Sequence, residues 1–428
     1  MNKQVQKSRA SLIIQNATEV VTCRGTDVSS VERIPGGWVA IAEEEIIAVG
    51  TRDQVAAEVD MEHADVIDAS GKVVAPGFVD CHTHLVFGGS RVQEYAAKMT
   101  IDDPSELARM GIQTGIQVSV EMTRGASEEQ LFQTARERLA RMLQAGTTTV
   151  ESKSGYGLTT TDEIKMLHVN AKLAKIMPVD IISTFLGAHG WPAQLPKEVY
   201  MGVLLDEMIP WVSGLGIATY CDVWCDDGHF TAQESEKILR AAADAGLSPK
   251  IHTDAYSYVG GSDLAAEMGM VSADHLNYTP PAVMQKLANA GVTGVLMPAL
   301  DFAVRHPRPF DARAMIDSGM TVALATNLCP GCWTESMQFV MALACRLYRM
   351  SPAEALRAAT IGGAMALGLG KDRGSIEAGK LADLQIWNVP SYEHVIYQLG
   401  GNVVERVIKR GKQVVDRSYL ETGTEKLV

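Results

Sequence analysis

Two histidines set two residues apart, His82 and His84 in 76-PGFVDCHTHLVFGGSR-91, are the strongest chemical signal in the chain. On a β-strand that spacing puts both imidazoles on one face, free to share one metal ion. Neutral imidazole offers a nitrogen lone pair that suits zinc, with iron or manganese as alternatives. Two more histidines end strand-like segments, His252 in KIHTD and His275 in SADHLN. His252 is the natural third ligand. His275 is read either as a ligand or as the group that orients water and substrate, with Asp274 as its positioning partner or as a cap on the next turn. Arg91 follows in a glycine-rich loop, where a planar guanidinium matches a carboxylate; a plain surface charge is the other reading. Tyr156, between Gly155 and Gly157, is a ligand contact or a loop anchor. Cys81 precedes His82 and so faces the other way. Cys329 and Cys332 form a CPGC pair, read as loop thiols, with a thiolate reaching the metal as the alternative.

Positioning such groups requires a scaffold that brings distant strand ends together. Eight apolar, strand-like segments recur: VVAPGFVDCHTHL, GTTTVESKSG, VDIISTFLGAH, GIATYCDVWCD, SPKIHTDAY, GMVSADHLNY, GVTGVLMPAL and MTVALATNLCP. Several are near-continuous in apolar and small residues, as parallel strands buried on both faces are. Helical segments separate most of them. Capping boxes are predicted at Thr160/Glu163 and Thr231/Glu234, a glycine stop at Gly246, and a cap with an N1 proline at Ser351, Pro352 and Glu354. The pattern predicts an α/β fold, a (β/α)8 barrel over residues 76–375, with a doubly wound sheet as rival. The polar residues favour the barrel. Cys81, His82, His84, Glu151, Lys153, His189, Asp226, His252, Asp254, Asp274, His275 and Asn327 all fall near C-terminal strand ends, which a barrel gathers on one rim. Residues 1–75 and 376–428 read as short strands and turns, and are expected to meet in one small β-sandwich.

Composition narrows the partners. The chain has 428 residues, 46% hydrophobic and 21% charged, which supports a large core and excludes disorder as its main state. A net charge of −13 disfavours nucleic acid and anionic membrane surfaces. No apolar run is long enough for a signal peptide or a membrane span. Seven cysteines, an odd number, fit a reducing compartment, and the cytoplasm is the expected location.

The HxH at the end of the first strand, the single histidines after the fifth and sixth, and a β domain drawn from both termini resemble the amidohydrolase superfamily, and within it the imidazolonepropionase family. The segments carrying the likeness are HTHLVFGGSR, AGTTTVESKSGYGL, STFLGAH, CDVWCDDGHF, KIHTDAYS, VSADHLN, ATNLCPG and ESMQFVMALACRLYRMSPAEALRAATIGGAMALGL, in order along nearly the whole chain. The resemblance implies hydrolysis of a ring C–N bond in a small acidic cyclic substrate, with one divalent metal per chain. By the same analogy His82, His84 and His252 hold the metal, Arg91 clamps a carboxylate, Tyr156 hydrogen-bonds the substrate, and His189 touches its ring or carbonyl. His275 then activates water or steadies an oxyanion. A homodimer is the expected assembly.

Two positions depart from the family pattern. Where the eighth strand of the family ends in a metal-binding aspartate, this chain has Asn327, a neutral carbonyl ligand at best that cannot serve as a general base. Where the family has a glutamate three residues after the fifth-strand histidine, this chain has Ala255. Three readings follow: a hydrolase whose proton transfer has moved to His275 with Asp254 or Asp274 assisting, a related enzyme with a different ring such as a hydantoin, or a barrel that binds without turnover. An aminohydrolase of the nucleobase deaminase kind is a further alternative, disfavoured by both lost carboxylates.

Overall fold

The computed structural model describes residues 7–418. They form two compact units, one of residues up to Asp80, Arg141–Thr149 and residues from Ser336 on, the other of Cys81–Ala140 and Val150–Glu335.

In the first unit two sheets face each other. The six-stranded sheet runs Lys412–Asp416, Val404–Lys409, Leu384–Trp387, Val73–Pro76, Glu19–Val21 and Arg33–Pro35. Strands from both chain ends are neighbours within it. Leu384–Trp387 pairs antiparallel with Val73–Pro76, Leu384 opposite Pro76. The four-stranded sheet runs Glu45–Gly50, Trp38–Ala42, Leu12–Gln15 and Asp65–Asp68. Alternation sets the layers: Leu12 and Ile14 join Val20, Val74, Leu384 and Ile408 in the core between the sheets, while Ile13 points the other way, to a smaller cluster with Trp38 and Val55. This is the expected β-sandwich built from both ends of the chain.

The third sheet is the barrel. Its strands follow in the order β1 (Phe78–Asp80), β2 (Thr147–Lys153), β3 (Asp180–Ala188), β4 (Tyr220–Cys225), β5 (Ile251–Thr253), β6 (Ser272–His275), β7 (Thr293–Leu296) and β8 (Val322–Leu324). Each of the eight segments read from the sequence contains one of them. Past the strand ends the circle is drawn together by backbone bonds: His84 N donates to Leu328 O at 2.8 Å, and Asn327 N to His82 O at 3.1 Å. Among the described residues no helix is long and apolar enough to cross a membrane.

Two local expectations need correction. The segment VVAPGFVD is not one strand: Val73–Pro76 belongs to the sandwich and Phe78–Asp80 to the barrel. The break falls at Gly77, where a Cβ would lie 2.3 Å from Thr148 Oγ1, after a proline with no amide proton to give. The capping box expected at Thr160/Glu163 is also displaced. Thr159 is the N-cap and accepts from Asp162 N, which leaves Glu163 free for another task. The boxes at Thr231/Glu234 and Ser351/Glu354 form as the sequence predicts.

Within the first unit, Arg357 ties the 352–357 helix to the loop that follows the Glu19–Val21 strand. Its Nη1 donates to Cys23 O, Arg24 O and Ser30 O at 2.9, 2.9 and 3.2 Å, and its Nη2 to Gly25 O at 2.7 Å. Arg357→Met keeps the length of the side chain and strands these carbonyls. It should destabilise the protein by about 2–4 kcal/mol, read as a lower urea midpoint in equilibrium unfolding.

Candidate active site

Five imidazoles meet at the C-terminal mouth of the barrel. The His82 ring lies 4.4 Å from that of His252, 5.6 Å from His84 and 5.5 Å from His275. His84 and His252 are 5.7 Å apart, and His189 stacks on His84 at 4.9 Å with planes 9° apart. Their donor atoms form two overlapping groups, His82–His252–His275 and His84–His189–His252, each within 4.8 Å. All five histidines are buried. Burial, followed by a neighbouring charge or imidazole, holds His82, His84 and His275 well below the usual histidine pKa and brings His189 down to about 3. These four are neutral, the form that carries a ligand lone pair.

Carboxylates lie beneath two of the rings. His82 Nδ1 lies 2.6 Å from Asp274 Oδ2 and His252 Nδ1 lies 2.9 Å from Asp222 Oδ2. A carboxylate accepts, so in His82 the proton belongs on Nδ1 and the lone pair on Nε2; the Asp222 contact to His252 is one of charge, and both ring nitrogens of His252 are without a hydrogen-bond partner. His82 Nε2, His84 Nδ1, His252 Nε2 and Asn327 Oδ1 are all buried with no hydrogen-bond partner. Each offers a lone pair to a divalent metal, and His252 is the member shared by the histidine group that contains His82 and the one that contains His84.

Under the carboxylates lies Lys153, whose Nζ is 2.7 Å from Asp222 Oδ2, 2.8 Å from Glu151 Oε1 and 3.5 Å from Asp274 Oδ2. Lys250 Nζ adds a second cation 3.1 Å from Glu151 Oε1, and Thr184 Oγ1 donates to the same oxygen at 2.6 Å. All five charged side chains are fully buried. Burial works against the Lys153 charge, but Asp222, Glu151 and Asp274 outweigh it and raise its pKa. Burial likewise opposes the charge of Asp222, yet His252 and Lys153 hold it well below the ordinary carboxylate range. Asp222 and Lys250 were not singled out in the sequence. Their signal was alternation: Lys250 stands two residues before His252, as Glu151 stands two before Lys153 and Ser272 two before Asp274. Each pair therefore shares an interior face.

The substrate-side residues are also positioned by identifiable groups. Glu163 accepts from the amides of Gly155, Gly157 and Leu158, each at 2.8 Å, and so shapes the loop carrying Tyr156. Tyr156 is buried, 5.4 Å from His84 and 5.3 Å from His189. His189 Nδ1 donates to Gly155 O at 3.1 Å, which leaves its Nε2 for the site. The guanidinium of Arg138 lies 3.5 Å from the Phe87 ring and 4.9 Å from that of Trp333, and donates to Leu85 O and Phe87 O, pinning the loop before Arg91.

Some expected residues have other partners. Arg91 spends Nε and Nη2 on Glu94, both at 2.6 Å, so its two-pronged face is already taken by a carboxylate of its own helix. Asp254 has both oxygens engaged, Oδ1 with Thr253 and Oδ2 with Ser262 and Thr279, a brace for the loop after β5 rather than a free base. Asp226 accepts from the amides of Asp227 and Tyr256. Cys329 and Cys332 are bridged through their backbones and join none of the metal-capable groups among the described residues. Ala255 is buried, and its carbonyl accepts from His306 Nε2 at 2.9 Å.

A barrel whose mouth converges neutral histidines over a buried carboxylate–lysine cluster defines a metal-dependent hydrolase class. Comparison with known proteins agrees. Models of the amidohydrolase family match residues 227–414 and 65–116. The chain is 41% identical to an imidazolonepropionase of Alkaliphilus metalliredigens, covering 95% of this chain and 98% of that one. It is 44% identical to one of Geobacillus thermodenitrificans, with coverage of 95% and 98%. Among solved structures, a zinc-bound adenosine deaminase from Xanthomonas campestris superposes with a TM-score of 0.73 at 20% identity, covering 96% of this chain and 94% of that one. At that identity the likeness is one of fold. The chain belongs to the amidohydrolase family, among relatives that are imidazolonepropionases.

Lys153→Met leaves three carboxylates without their shared cation. It should cost about 3–5 kcal/mol in stability and weaken metal binding by about 10–100-fold. Urea unfolding and competition against a chelator measure the two effects separately.

Proposed function

We propose that the chain hydrolyses a ring C–N bond in a small imidazolone-like or hydantoin-like acid, with one divalent metal, zinc in the first instance, held by His82, His84, His252 and the Asn327 carbonyl. The observation that carries this is the set of buried, unpartnered lone-pair atoms on those four side chains. The zinc-bound deaminase of the same fold supports the choice of metal. The metal supplies Lewis acidity toward a ring carbonyl and acidifies water.

The protein's own groups do the rest. Asp274 keeps His82 in the tautomer that presents Nε2, Asp222 lies 2.9 Å from His252 Nδ1, and Lys153 holds Asp222 charged and in place. Asn327 offers a carbonyl but takes no proton. The proton therefore passes through His275, whose ring lies 5.2 Å from His252 and 5.5 Å from His82. As the water oxygen bonds to the ring carbonyl carbon, its proton moves to His275. When the C–N bond breaks, His275 returns that proton to the leaving nitrogen. Tyr156 and His189 hold the ring. Arg91 receives the tail carboxylate on the guanidinium edge that Glu94 does not occupy. Asp254 contributes by bracing the loop after β5. The domains are residues 1–75 with 376–428, and 76–375. Seven free cysteines support a cytoplasmic setting, and the acidic net charge a small-molecule partner rather than nucleic acid. The assembly is a homodimer.

Elemental analysis of the reconstituted protein should find one metal per chain, and His82→Ala should abolish it. Asn327→Asp adds a charged ligand and should tighten metal binding about 10-fold or more, read by chelator competition. Ring opening is followed with 4-imidazolone-5-propanoate and hydantoin-5-propanoate. A fully metal-loaded protein that opens neither ring would refute the proposal and leave a ligand-binding barrel.

A further inference from the structure

Trp224 and His229 have no role in the chemistry above, yet they form part of the wall of the site. Trp224 follows Asp222 by two residues on β4, so alternation puts its indole on the same interior face, one step nearer the mouth. Its register partner on β5 is His252. The indole lies 5.4 Å from the His189 ring, and His229 stacks on it at 3.5 Å with planes 20° apart.

Both rings carry an unused polar atom. Trp224 Nε1 and His229 Nδ1 are buried without a hydrogen-bond partner. An indole nitrogen only donates, and a donor shielded from water without an acceptor is costly. Buried tryptophans ordinarily find a partner for that N–H. The loop does not need these atoms for its own stability. Lys197 Nζ pins it by donating to His229 O and pairing with Glu234 Oε2, each at 2.6 Å. Burial, opposed by Asp226, brings His229 down to about 4, so it stays neutral and adds no charge beside the indole.

We infer that Trp224 is a specificity-determining residue, donating its indole N–H to an exocyclic carbonyl of the substrate ring, with stacked His229 fixing the indole plane. The preferred substrate is then a ring with two exocyclic carbonyls, as in a hydantoin, rather than an imidazolone with one. An imidazolone has C–H where the hydantoin has its second carbonyl, and would leave the donor unmet. This rests on the ring-opening reading above and narrows it.

The test uses the full, metal-reconstituted chain and two acids, hydantoin-5-propanoate and 4-imidazolone-5-propanoate. Wild type should favour the hydantoin in kcat/KM by about 10-fold or more. Trp224→Phe keeps an aromatic face for His229 but removes the N–H. It should lower the hydantoin-to-imidazolone ratio about 10-fold, mainly through KM for the hydantoin. A wild-type preference for the imidazolone overturns the inference while leaving the ring-opening reading intact, as does a ratio unmoved by Trp224→Phe. If that variant does not fold, the wild-type ratio decides alone. No opening of either ring overturns both readings.

Discussion

Everything at the mouth of this barrel depends on the ammonium of Lys153. Three carboxylates lie within 3.5 Å of it, all removed from water. Without a buried cation their mutual repulsion would drive protons onto them or push them apart. With it, Asp222 and Asp274 each reach an imidazole Nδ1, and the two histidines present their other nitrogen in a fixed direction. The charge lies one carboxylate away from His82 and His252, and through those carboxylates it bears on the orientation and basicity of the groups that face the ligand. A buried pair of this kind is weak evidence for stability in itself. Here its geometry is explained by what it orients.

The strand ends above this cluster show a second constraint. Asp254, His275, Leu276 and Asn327 all have positive φ, between 49° and 85°. Aspartate, asparagine and histidine are the side chains found there most often after glycine; leucine rarely enters it. A strand that stops this abruptly turns its last side chain across the barrel mouth instead of continuing upward. The cost is held by the closed sheet below and by the hydroxyl bonds to Asp254, a common pattern where backbone strain coincides with a functional site.

How much of this was legible in the chain depends on which signal carried it. The strands were readable because several segments, such as GVTGVLMPAL, are near-continuous in apolar and small residues; β2, TTTVESK, is buried along its entire length although mostly polar. The HxH pair was readable because a period of two fixes which side chains share a face. Asp222 and Lys250 obeyed the same period, but each sits inside an apolar run, where a lone charge reads as an interruption until its partner on another strand is known. Glu163 looked like part of a capping box, since T-x-x-E before a helix has that meaning locally. The actual cap lies one residue earlier, and only the folded loop shows three amides waiting for the carboxylate. Arg91 posed the opposite problem. Its fork suited a substrate carboxylate, but Glu94, three residues along the same helix, competes for it.

The bonds that close the barrel at His82 O and His84 N are made by main-chain atoms of Asn327 and Leu328. The side chain at 327 carries none of that closure, and its left-handed backbone suits asparagine and aspartate alike. Architecture and reactivity are thus uncoupled at this one position. A lineage can exchange a neutral amide for a carboxylate there, and so change the charge and proton-accepting capacity of the pocket, without first redesigning the fold that holds it. In such a scaffold new substrate preferences can be explored by single steps that natural selection sees as changes in rate, not as failures to fold.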